Sequence, residues 1–505
     1  MSGLEGLLHG FAVVLSFDAL MFALIGCVIG MVVGILPGVG QSAGMVLLIP
    51  LTYHLDPTNA IIMLASIYYG AAYGGTITSV LMNVPGESET IVTTFDGYPL
   101  ARQGRGGAAL SIAAIGSFVG GCVATLVMAL TAVPLSRLAL KLGPAEYFSL
   151  MVLSLCLAAS LLGSSAIKGL IMVVFGLLLT QVGSDPQLGV ARLTFGSEIL
   201  ASGVPLLALI MGFFGLSDVF LYILTRNKDT VEEVARIKSI LPTRDELKRS
   251  AGPIARGSVI GFVLGLLPGL ASAVSTFVSY SVEKRISRTP ERFGKGAIEG
   301  VAGPETANNA FANASFLPLI ALGIPASAAL SILFSAFMIL GITPGALMFR
   351  EHPDVAWGLL ASMIIGNAIL LILSFPLVRV WIYILYLPRN MLCAIIVIFT
   401  AIGIYSVNNS ADDLLVLAVF TLVGVGLKMA DYPLAPAILA FVLGRPIEAS
   451  LRQALTIARG DATVFLTRPI SAVLLAVAAL ILVRSLMTSL PAARRMKSAA
   501  ETQNA

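Results

Sequence analysis

The sequence predicts an all-α polytopic membrane protein of about 10–12 transmembrane helices, built as two inverted-topology repeats. Each repeat is expected to hold a re-entrant hairpin and a broken helix. Three observations lead there: the composition, a proline–glycine motif written twice, and opposite charge around its two copies. The chain is 57% hydrophobic and 11% charged, where a soluble domain carries about 25% charged residues. Runs such as 108–133, 199–225, 355–378 and 470–487 are long enough to cross roughly 30 Å of hydrocarbon. They do not alternate, which excludes a β-barrel.

The motif is "GMVVGILPGVG" at 30–40 and "GFVLGLLPGLA" at 261–271. Gly30, Val32, Gly34, Leu36, Pro37 and Gly38 match Gly261, Val263, Gly265, Leu267, Pro268 and Gly269, 231 residues later. Proline removes a helix hydrogen bond and glycine permits a turn, so each copy reads as the tip of a hairpin. Charge orients them. Residues 1–101 hold six acids and no Lys or Arg, while the second copy lies between basic runs at 226–256 and 283–296. Basic flanks stay in the cytoplasm, so the first hairpin is expected to open outside and the second inside.

In chain order, the N-terminus lacks the basic region of a cleavable signal peptide. The first repeat, 1–225, starts with a hairpin over about 20–55, whose tip holds Pro37, Gly38, Gly40 and Gln41. A broken helix over 60–99 crosses to Arg102 and Arg105, and spans near 108–133, 146–162, 168–183 and 199–225 follow. Arg137 and Lys141 fall outside, a mild violation. A cytoplasmic amphipathic connector, 226–256, leads into the second repeat, 257–430. Membrane segments at 431–490 and a polar tail at 491–505 complete the chain. Their topology stays open, because Arg494, Arg495 and Lys497 conflict with the basic loop 445–468.

Each half carries a second break. "SIYYGAAYGGTITSVLMNVPGESET" at 66–90 and "GPETANNAFANASFLPLIALGIPASAA" at 303–329 align with Asn83-Val84-Pro85-Gly86 over Gly323-Ile324-Pro325-Ala326. A helix restarting after such a break offers free N–H groups and partial positive charge, which suits an anion. Unwound carbonyls suit Na⁺. The expected substrate-binding residues are therefore Pro37, Gly38, Gly40, Gln41, Asn83, Pro85, Gly86, Ser88, Pro268, Gly269, Asn308, Asn309, Pro325 and Ser327. Glu87, Glu305, Thr76 and Asn313 are the coupling-ion candidates, for Na⁺ or H⁺. A lone proline–glycine pair is more often a kink than a site; two per half, repeated, reverse that weighting. Gly70, Gly74 and Gly75 read as helix packing. No Lys or Arg stands at any break, so a bound anion would need helix dipoles and a co-bound cation.

"GILPGVGQSAGMVLLIP", "YYGAAYGGTITSVLMNVPGE", "FDGYPLARQGRGGAAL" and "GPETANNA" resemble the signatures of TctA, the large membrane subunit of tripartite tricarboxylate transporters. The likeness runs from about residue 20 to residue 450. It implies a multi-pass protein of the bacterial inner membrane that takes up di- or tricarboxylates such as citrate with a cation gradient. It also implies two partners, a small four-helix membrane subunit (TctB-like) and a periplasmic solute-binding protein (TctC-like).

A channel or an intramembrane enzyme built on the same broken helices is the alternative. Enzyme chemistry finds little support. His9, His54 and His352 are scattered, no H-E-x-x-H occurs, and "RFGKG" at 292–296 lacks the spacing of a phosphate loop. No cofactor is expected, and no metal site beyond Na⁺. The net charge of +4 reflects basic loops at the bilayer and implies no nucleic acid.

Overall fold

The computed structural model describes residues 3–35, 40–52, 55–161, 165–185, 189–225, 241–374, 380, 389–408 and 410–503. Among these the fold is all-helical, apart from two-residue strands Gly183–Ser184 and Ala191–Arg192 that pair antiparallel. Among the described residues six helices are long and apolar enough to cross a membrane: Phe17–Ile35, Pro57–Met82, Gly106–Ala139, Leu206–Leu224, Pro353–Ser374 and Pro469–Met487. Shorter apolar helices include Gly40–Thr52, Pro144–Ser160, Ala166–Thr180 and Ala328–Ile339. This is a multi-pass helical membrane protein.

Burial sorts the helices into a centre and a rim. Every residue in the apolar window of Pro57–Met82 is buried inside the protein, against 11% for Pro469–Met487. A helix with no outward face must meet neighbours on all sides, and its sequence permits that. Gly70 and Gly74 admit the backbone of Phe17–Ile35 at Cys27 and Met31. Small residues let helix backbones approach where lipid offers no hydrophobic drive.

The same packing recurs in the second half. A Cβ at Gly26, Gly30 or Gly34 would run into the carbonyls of Met63, Ile67 and Ala71. A Cβ at Gly257, Gly261 or Gly265 would run into those of Gly303, Ala307 and Phe311. Both sets step by four, as one helix face requires. The first arm of each proline–glycine motif thus lies against the broken helix of its own half. In the second half that arm is Arg244–Gly265, and its start lies in the basic connector, capped by Thr243. Residues 226–240 of the connector and the tip residues Leu36, Pro37, Gly38 and Val39 lie outside the described residues.

Candidate functional site

Both broken helices end the same way. Pro57–Met82 begins at Asp56, whose carboxylate accepts from Thr58 N at 2.9 Å. It stops at Asn83, a left-handed residue with φ 57° and ψ 22°. In the second half Glu299–Ala314 continues through Phe316–Leu322 and stops at Gly323, with φ 73° and ψ 23°. Asn and Gly are the residues that adopt this conformation at least cost. The chain then passes Val84-Pro85 or Ile324-Pro325 and restarts from extended residues. Those are Glu87 at φ −140°, ψ 169° and Ser327 at φ −147°, ψ 171°. Ser327 Oγ accepts from Leu330 N at 3.2 Å, an ordinary N-cap.

Each break is tied to the hairpin motif of its own half. Gly269, left-handed at φ 81°, donates its N–H to Ala326 O at 2.9 Å. In the first half Gln41 N donates to Glu87 Oε1 at 2.6 Å. Gln41 Nε2 donates to Glu89 Oε1 at 3.2 Å, and Ser88 Oγ to Glu89 Oε2 at 3.0 Å. Gln41 opens the Gly40–Thr52 helix, so a carboxylate of the chain itself already sits at a helix N-terminus.

Glu305 lies deeper, 1% exposed. Its carboxylate accepts from Thr76 Oγ1 at 2.7 Å and from Thr93 Oγ1. It therefore joins the broken helix of one half to both segments flanking the break of the other. No Lys or Arg pairs with it among the described residues. Asn309 Nδ2 donates to Ser117 Oγ at 2.6 Å, and Asn313 Nδ2 to Asn309 O at 2.8 Å. Asn308 Nδ2 and Asn309 Oδ1 are buried without a hydrogen-bond partner among the described residues. Such groups cost about 1–3 kcal/mol each when left unmade, and consecutive helix residues point in different directions, so these are two separate unmet polar groups.

The structure thus brings Thr76 to Glu305, Gln41 to Glu87 and Glu89, Ser88 to Glu89, and Gly269 to the Pro325 break. Gly86 is buried with Gly34 and Gly75 backbone directly beside it. Asn83 stands exposed and joins none of these contacts; its part is the left-handed turn. Pro37 and Gly38 lie outside the described residues. Sequence reasoning missed Thr93, Ser117 and above all Asp96. Asp96 is fully buried, and its Oδ1 accepts from Gly294, Gly296 and Ala297 N–H at 2.8–2.9 Å. Its Oδ2 accepts from Tyr280 OH at 2.9 Å. The "RFGKG" segment is therefore a clamp on an internal carboxylate. Gly294 and Gly296 supply the positive φ that turns their N–H groups inward.

Two broken helices, each hydrogen-bonded beside the proline–glycine motif of its own half, sit in a multi-pass helical membrane protein, a construction found in many secondary transporters. The family model for the tripartite tricarboxylate transporter TctA family matches residues 20–439, and the chain belongs to that family. It is 44% identical over 494 residues to the "Uncharacterized 52.8 kDa protein in TAR-I ttuC' 3'region" of Agrobacterium vitis, with 98% of each chain covered. It is 47% identical over 234 residues to the "Uncharacterized protein in TAR-II ttuC' 3'region" of the same organism, covering 46% of this chain and 97% of that one. No solved structure matches it.

Proposed function

We propose that this chain is the translocation subunit of a binding-protein-dependent secondary carrier for di- or tricarboxylates. It works in the bacterial inner membrane by cation-coupled alternating access. The hairpin motifs are re-entrant, the halves are inverted repeats, and the two breaks form one chamber. The carrying observation is the pair of breaks with matching dihedrals, each hydrogen-bonded to its own hairpin motif. Chemistry divides between them. The second break, with Ser327 and no acid, receives a substrate carboxylate, helped by the unpartnered Asn308 amide. The first, with Glu87 and Glu89, together with Glu305 and Thr76, serves the coupling cation.

A small four-helix subunit and a periplasmic binding protein complete the carrier. The binding protein supplies the affinity, because helix N-termini contribute only about 0.3–2 kcal/mol each. That is little against the desolvation of several carboxylates.

The test is uptake into vesicles holding both membrane subunits, with a panel of carboxylates, the binding protein, and independently varied Na⁺ and pH. Accumulation against a gradient that collapses with the ion gradient supports the proposal. Non-saturating flux that only equilibrates would make the protein a channel. Full-rate transport of micromolar carboxylate without the binding protein would end the division of labour.

A further inference from the structure

A cavity of about 320 Å³ lies apart from the breaks. It is bounded by the end of Ala166–Thr180, by residues 202–206, by Ala328–Ile339 and by Ala435–Ile457. The volume falls within the roughly 300–1,000 Å³ usual for small-ligand sites. Its walls are apolar, with Leu179, Val204, Phe334 and Val442 among them. Its mouth carries the exposed side chains of Ser202 and Arg445.

Arg445 is placed for a headgroup. Ala435–Ile457 is buried along its first part, up to Leu443 and Gly444, and Arg445 is the first charged residue after that run. The neighbouring charges are already paired. Glu448 Oε1 binds Arg192 at 2.9 Å and Arg452 at 2.6 Å, and Asp185 binds the same two arginines. Arg445 has no hydrogen bond or ion pair among the described residues. Gly203, with φ 88°, lies beside the guanidinium: a Cβ there would sit 3.4 Å from Arg445 Nη2.

We infer that this cavity binds an anionic glycerophospholipid, with its phosphate on Arg445 and Ser202 and an acyl chain against Val204, Phe334 and Val442. A small polycarboxylate would lose its hydration against nine apolar lining residues for one cation. An amphiphile loses nothing there. Basic pockets between membrane helices hold anionic headgroups by this same combination. The chain supplies most of the affinity, and the guanidinium selects the charge. Phe334 and Met338 lie on the helix that Ser327 starts, so bound lipid also presses on the segment after the second break.

The experiment is lipid retention by the purified full chain, read by native mass spectrometry after titration with phosphatidylglycerol or phosphatidylethanolamine of identical chains. Wild type should retain one phosphatidylglycerol and bind phosphatidylethanolamine at least tenfold more weakly. Arg445→Gln, on an exposed side chain, should abolish that preference. Val204→Trp should lose both lipids, and circular dichroism of each variant reports its folding. Equal binding of the two lipids to wild type overturns the inference, as does an unchanged preference in Arg445→Gln. Displacement of the lipid by millimolar inorganic phosphate or citrate also overturns it, because the site would then be one for small anions.

Discussion

At the first break the chain leaves its helix through Asn83 and restarts at Glu87; at the second it leaves through Gly323 and restarts at Ser327. The exit ψ values are 22° and 23°, and the restart ψ values 169° and 171°. The backbones coincide, yet the side chains do not. The first break holds two carboxylates within reach of Gln41, whereas the second holds a hydroxyl cap and a carbonyl bonded to Gly269. The two breaks therefore share a backbone and differ in charge.

The largest effect should come from Gly86→Val. A Cβ at Gly86 would lie 2.6 Å from both Gly34 O and Gly75 Cα, which are backbone atoms that cannot turn aside. Overpacking of this kind costs about 1–3 kcal/mol, so uptake should vanish and the melting temperature should fall. Its aligned partner already carries a Cβ, and Ala326→Gly should keep most of its uptake. Equal damage at both positions would break the equivalence of the two breaks.

Next comes the charge. Glu305→Gln should lower uptake about 10–100-fold, the equivalent of a charged hydrogen bond worth about 1.5–3 kcal/mol. Glu87→Gln should shift the cation concentration needed for half-maximal uptake. Ser327→Ala should instead raise KM for the carboxylate about fivefold, as one neutral hydrogen bond near 1 kcal/mol predicts. Initial rates over a grid of ion and substrate concentrations separate the two, and an exchanged pattern would reverse the assignment.

Smaller still are the helix exits. Asn83→Gly should be close to neutral, because glycine accepts the left-handed turn, and Asn83→Val should cost about 1–2 kcal/mol in thermal unfolding. Gly323→Ala should cost more than Asn83→Ala, since its Cβ would also lie 2.7 Å from Pro344 O. Finally, single cysteines at Ser42 and Ser287, in a chain freed of native cysteines, should label from opposite sides of intact cells. Labelling of both from one side would leave the matched backbones without inverted topology.

The residues that repeat were the ones visible in the sequence. Pro37 and Pro268, or Pro85 and Pro325, announce themselves because proline in an apolar run has few structural excuses. Gly30 and Gly34 aligned with Gly261 and Gly265, but their meaning came only with the facing carbonyls. Gly26 and Gly257 complete the same face, just upstream of the aligned window. Thr93 and Asp96 were illegible for a different reason. Asp96 finds its partners 198 to 201 residues later, and those partners are backbone N–H groups, which no residue type advertises. The arginine pairs are similar: Arg249 grips Glu299 at 2.8 Å through two bonds, and Arg256 grips Glu283 at 2.6 and 2.8 Å. In the sequence these were only an excess of positive charge.

The Asp96 clamp has a consequence in time. The spacing between the copies grows from 231 residues at Gly34 and Gly265 to 240 at Pro85 and Pro325. The second copy thus has nine more residues between these points, and the loop that reaches Asp96 lies within that stretch. At roughly 5–20 residues per second of synthesis, the 198 residues between Asp96 and Gly294 take about 10–40 s to emerge. Through that interval a carboxylate destined for full burial waits for its donors, so this one site of the amino-terminal half stays incomplete until its sibling is made.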